Sequence, residues 1–147
     1  MGKKKNSFMK FLKIDEDAFL IKIEFREKLA QSLKDFSQRN SIDFAVFYGI
    51  GALKWADIAY YDLENKRYLS KKFDENLEII SMLGNVSTMD NSKVIHAHVC
   101  LGRIDYSTIA GHFNEGEVIS CEVVMKKYSA ILKREKDEVT GLNLFKL

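Results

Sequence analysis

Val94-Ile95-His96-Ala97-His98-Val99-Cys100 interleaves two sets of side chains, Ile95, Ala97 and Val99 in one and His96, His98 and Cys100 in the other. A period of two is that of an extended strand, whose successive side chains point to opposite faces. Read so, Ile95, Ala97 and Val99 turn into apolar packing. His96 and His98 then project from the other face about 7 Å apart, near enough to share one ion. Just beyond, Gly102-Arg103-Ile104-Asp105-Tyr106-Ser107 supplies a turn, so a second strand can run back and set His112 beside the pair. These three are the only histidines of the chain. Three imidazole nitrogens with an open fourth position make a catalytic zinc site, and they also suit other late first-row divalent metals. The alternative for each is a packed or hydrogen-bonded ring, but two neutral rings crowded at i, i+2 gain little unless something bridges them. Cys100 has the same parity one step further along and is an additional candidate ligand.

Outward from that stretch the chain keeps a strand-like grain. Ala18 to Ile23 is β-prone, and Ile42 to Tyr48 is a β-branched and aromatic run ended by Gly49-Ile50-Gly51. Lys54 to Asp62 and Arg67 to Phe73 read as a hairpin around Leu63-Glu64-Asn65-Lys66. Leu77 to Leu83, Lys93 to Leu101, Gly116 to Lys127 and a segment near Leu142 to Leu147 complete the strands. Only Arg26 to Arg39 shows helical spacing, with Leu29, Leu33 and Phe36 on one apolar stripe. One helix among about seven strands predicts the α+β class. The expected fold is a single domain, a mostly antiparallel sheet packed beside one main α-helix and rolled toward a half-barrel. Gly49-Ile50-Gly51 lacks a third glycine and precedes a strand, so it reads as a turn or bulge and not as a dinucleotide fingerprint.

A chain of 147 residues can bury a core without disulfides or structural metal. Residues 1–17 read as a basic lead-in, partly disordered, and the folded domain is expected over 18–147. The 23 Lys and Arg nearly balance 21 Asp and Glu, so bulk charge neither announces nor excludes nucleic acid. No run approaches the roughly 18 apolar residues of a membrane span, and Met-Gly-Lys-Lys-Lys-Asn is not followed by a signal peptide's apolar region, so a cytoplasmic protein is expected. Cys100 and Cys121 sit in strand-like sequence and are expected as reduced thiols. Glu78 lies in Leu77-Glu78-Ile79-Ile80, where a buried carboxylate would need a partner. It is either a general acid or base serving the histidines or an edge-strand residue in water; Glu122 repeats the situation more weakly.

In this order, Gly49-Ile50-Gly51-Ala52, Tyr60-Tyr61-Asp62, Leu77-Glu78-Ile79-Ile80, Gly84-Asn85, His96-Ala97-His98, Gly111-His112-Phe113, Gly116-Glu117-Val118, Cys121-Glu122-Val123 and the tail from Arg134 to Leu142 resemble the PPC domain, the plants and prokaryotes conserved domain. The resemblance covers about residues 18 to 147, with Ala110-Gly111-His112 where the family usually has Gly-Gly-His. It implies an α+β fold, a homotrimer and a DNA-associated or regulatory role. The DNA label derives from plant proteins that join this domain to AT-hooks. A hook needs an Arg-Gly-Arg-Pro core, and this chain has no proline. DNA contact is therefore expected to be weak and non-specific, resting on Lys3-Lys4-Lys5 or a basic trimer surface; a protein partner is the other kind implied. The fold is also similar to that of acetolactate decarboxylases and a zinc-dependent ester hydrolase, in which three histidines hold a metal. By that likeness His96, His98 and His112 would hold zinc while Glu78 or Arg103 assists, giving a small zinc-dependent hydrolase or lyase as the alternative function. The sequence leaves the choice between a catalytic and a structural site open.

Overall fold

The structure is a computed structural model and describes residues 9–147. Strands β1 (Lys10–Asp15) and β2 (Ala18–Ile23) precede helix α1 (Leu29–Arg39), after which come β3 (Phe44–Asp62), β4 (Arg67–Phe73), β5 (Leu77–Met89), β6 (Ser92–Gly102) and β7 (Thr108–Tyr128). A short hairpin, β8 (Arg134–Lys136) and β9 (Asn143–Phe145), ends the chain. The main sheet runs β1-β2-β7-β6-β5-β3-β4, and β7 also pairs with β3. That last pairing closes the circuit β3–β5–β6–β7, so the sheet is rolled into a small antiparallel barrel. The fold is α+β, as expected.

Each long strand alternates burial, and the alternation sorts the barrel into an inner and an outer face. Ala45, Phe47, Met82, Val99, Val123 and Met125 are buried, and the stripe Leu29, Leu33 and Phe36 of α1 joins them. Phe19 meets Phe36 edge-on with ring centroids 5.3 Å apart, a favourable aromatic arrangement. The outer face carries Val46, Tyr48, Ile50 and Leu83, all substantially exposed.

Three expectations about element bounds are refined. The sheet begins at β1, ahead of the boundary at residue 18, because Lys10-Phe11-Leu12-Lys13-Ile14-Asp15 pairs with β2. Every residue of β1 is exposed, which is why no buried period marked it. Lys3-Lys4-Lys5 lies outside the described residues. The helix starts at Leu29 and not Arg26, since Arg26 takes φ 71 and Lys28 stays extended, bridging to Glu117. Gly49-Ile50-Gly51 does not end a strand: β3 runs through it with a register shift, a bulge. Gly51 has φ 154, and a Cβ there would meet the Ser120 carbonyl oxygen at 2.1 Å, so glycine lets β3 and β7 stay in contact through the bend. Both cysteines are free thiols.

The C-terminal hairpin folds back over one end of the outer face. Thr88 donates its N–H to the Leu132 carbonyl at 2.9 Å, and Phe145 meets Phe44 edge-on at 6.3 Å. This fold-back buries Ser87 completely.

Candidate metal centre

The three histidines meet where the barrel circuit closes. His96 and His98 share one face of β6 by their i, i+2 spacing, and His98 stands directly opposite His112 on β7. His112 in turn faces Ala59 of β3. Its neighbour Gly111 permits that approach, because a Cβ at 111 would lie 2.7 Å from the Ala59 carbonyl oxygen. The ring centroids are 5.2 Å apart for His96–His98, 5.2 Å for His96–His112 and 5.6 Å for His98–His112. One potential ligand nitrogen from each ring lies within 4.8 Å of the others.

Protonation favours ligation. Burial, then the charge of Arg134, then the neighbouring imidazoles push His96 down to about 4. His112 is lowered by burial, by His98 and by Arg134. Both rings are therefore neutral at pH 7 and hold a lone pair for an ion. His112 Nδ1 is buried without a hydrogen-bond partner in the structure. A buried polar atom left unpaired costs free energy, and an ion beside the cluster would remove that cost. Three converging imidazoles, two of them held neutral, and one orphaned nitrogen suit a late divalent metal.

The site sits in a cavity of about 820 Å³ walled by Tyr61, Tyr68 and the C-terminal hairpin. Tyr68 of β4 stacks on His112 at 4.6 Å, and Tyr61 meets Tyr68 edge-on at 4.9 Å. Tyr61 donates its hydroxyl to the Thr140 carbonyl at 2.6 Å and so pins the tail. Arg134 is the tail's contribution. Its Nε donates to Ser87 Oγ at 2.7 Å, Nη1 to the Asn143 carbonyl at 2.8 Å and Nη2 to Asn85 Oδ1 at 2.9 Å. Nη2 also lies 3.3 Å from His96 Nδ1, and the guanidinium rests 4.3 Å from the Phe145 ring centre.

The structure thus brings His96, His98 and His112 together and leaves the other candidates apart. Cys100 faces Ser81 and Ala110, two pairs beyond His98 and outside the three-nitrogen group. Glu78 is exposed and stands opposite Gly102, about 13 Å along β6 from His98. It is in water as one reading expected, though on an interior strand, because the bulge between Ile79 and Ser81 keeps it outward. Arg103 lies in the turn after β6 and pairs with Glu75 at 2.8 Å. Neither Glu78 nor Arg103 lines the cavity. Arg134, Asn85 and Tyr68 do surround the rings and were not singled out from sequence. Asn85 alone had a signal, being the polar break in an apolar strand that faces β6.

A small antiparallel barrel with one helix beside it and three imidazoles gathered at its closure defines the class of protein. The chain belongs to the Plants and Prokaryotes Conserved (PCC) domain family, the PPC domain, whose model matches residues 14–129. A candidate DNA-binding protein from Bacteroides thetaiotaomicron is similar with a TM-score of 0.90 and 28% identity, over 95% of this chain and 97% of its own. A metal-containing protein from Archaeoglobus fulgidus is 36% identical with a TM-score of 0.85, over 92% and 100% of the two chains. A plant- and prokaryote-conserved protein from Pyrococcus horikoshii is 30% identical with a TM-score of 0.84, over 96% of each. No curated protein matches the chain in sequence.

Proposed function

We propose that this chain is a homotrimeric, cytoplasmic PPC module that holds one divalent ion, zinc, on His96, His98 and His112 and has a DNA-associated or regulatory role. The observation that carries the metal is the meeting of three ring nitrogens within 4.8 Å of one another, one ring having an orphaned Nδ1. A relative at 36% identity contains metal, which supports the same reading. Zinc with an open position supplies Lewis acidity and can lower the pKa of bound water. A hydrolase or lyase also needs a proton carrier beside the ion. Glu78, the carboxylate the enzyme reading would use for this, lies outside the cavity, so the module stands as the first reading and the enzyme as the second.

Assembly is supported by the outer face. Tyr48 stands opposite Leu83, and Ile50 and Ile80 extend the patch, each of the four more than half exposed. An exposed apolar patch of contiguous strands marks an interaction surface. No helix among the described residues is long and apolar enough to cross a membrane. DNA association is supported by the similar Bacteroides protein. With a net charge of +2 and no hook, it should be weak, sequence-tolerant and steeply salt-dependent. The reading is tested by elemental analysis of protein purified without chelator, alongside light scattering. One zinc per chain and a mass three times 17.0 kDa are expected, with His98→Ala losing the zinc. Full metal content in a His96→Ala, His98→Ala, His112→Ala triple variant, or a monomer at micromolar concentration, would contradict it.

A further inference from the structure

Arg134 is a half-buried cation that no carboxylate pairs among the described residues. Its donors reach a hydroxyl, a carbonyl, an amide oxygen and a ring nitrogen, all of them neutral. Among the described residues no ion pair includes it. Lys66 and Arg67 add positive charge at the cavity rim, while Asp62, beside Arg67, lies outside the cavity. Burying a cation without a counter-charge is unfavourable, so such a group is held in place for a partner that brings one.

Metal binding sharpens the imbalance. A neutral imidazole that ligates through Nε2 carries its proton on Nδ1, and one that ligates through Nδ1 spends that lone pair on the ion. In either case His96 Nδ1 stops accepting from Arg134, and the Nη2 donor 3.3 Å away loses its acceptor. A divalent charge also arrives on ligands that carry no negative charge to offset it. The cavity would then present an open metal position beside a guanidinium with a freed N–H and no counter-charge, with aromatic walls at Tyr61 and Tyr68.

We propose that this cavity binds a small organic or inorganic oxyanion, a carboxylate or phosphate, whose oxygens bridge the metal position and the Arg134 guanidinium. The proposal rests on the metal reading above. Guanidinium is the group best shaped for such oxyanions, since its fork offers parallel N–H donors. The volume of about 820 Å³ lies within the range of small-molecule sites. A cavity roofed by the β8–β9 hairpin admits a small molecule, whereas the phosphates of a duplex run along an open surface.

The test is calorimetric titration of full-length protein, metal content being measured on the same sample. The probes are benzoate, inorganic phosphate and the neutral isostere benzamide. Zinc-loaded wild type should bind benzoate or phosphate saturably, at a Kd of about 1 mM or tighter, and benzamide at least tenfold more weakly. The preferred anion identifies the ligand as carboxylate or phosphate. Arg134→Gln should weaken the anion tenfold or more while retaining the zinc, and Arg134→Lys, which keeps charge but not the fork, should fall between them. Should Arg134→Gln fail to fold, Arg134→Lys and the benzoate–benzamide pair still decide. Zinc-loaded protein that binds no anion, or binds benzamide as well as benzoate, overturns the proposal and leaves the metal site standing. Protein that takes up no zinc yet binds anion through Arg134 leaves the anion site standing and removes the metal; failure of both removes both.

Discussion

Gly111 shows how single residues set the site. With no Cβ it lets β7 close on the Ala59 carbonyl, and the next residue, His112, is thereby delivered opposite His98. The histidines were legible because strand parity and one turn suffice to bring them together. Arg134 was not, since it lies 38 residues from His96 and reaches it through a hairpin that no local period announces. Glu78 illustrates the converse: its apolar neighbours suggested burial, but alternation sends it outward. The cysteines differ for the same reason. Burial, with a lesser contribution from Glu122, pushes the Cys121 thiol up to about 12. Below that pH the thiol stays protonated, and the thiolate is the reactive form. Alkylation of native protein at pH 8 should therefore spare Cys121, as read by mass spectrometry, while unfolding in guanidinium exposes it. Labelling of Cys121 in native protein at a rate like that of a free thiol would contradict its burial.

At the scale of elements, the helix and the two longest strands share the work. Helix α1 has no side-chain cap of its own at Lys28. Its first amides are met from β7 instead: Ala30 donates to Glu115 Oε1 at 2.8 Å and Gln31 to Oε2 at 3.1 Å. A carboxylate there satisfies orphan N–H groups and complements the helix dipole. Glu115→Ala should cost about 1–2 kcal/mol in urea unfolding, the magnitude of a lost cap; an unchanged midpoint would show the contact to be idle. The apolar stripe of α1 was legible from its spacing, but its start was not, because the cap comes from a residue 85 positions away. Likewise β3 reads as two strands separated by glycines. Only the pairing with β7 shows that the glycines bend one strand and do not end it.

At the scale of the molecule, the barrel places a bare apolar patch and the cavity on one face. Leu83 faces Tyr48 on one side and His98 on the other, so the patch runs into the site. If that face packs against other copies, Tyr48→Glu should convert a trimer to monomers in light scattering while its circular dichroism is unchanged. A trimer that survives the substitution would place the interface elsewhere. The fold class was legible because strand alternation repeats along the whole chain, whereas barrel closure depends on β7 pairing with β3 over most of its length and has no local signature. The most direct test of the account is anomalous diffraction at the zinc edge from crystals of protein purified without chelator. The account predicts one peak per chain, about 2.0–2.1 Å from one nitrogen each of His96, His98 and His112. Three histidines refined with no anomalous peak among them, in protein grown with zinc present, would contradict it.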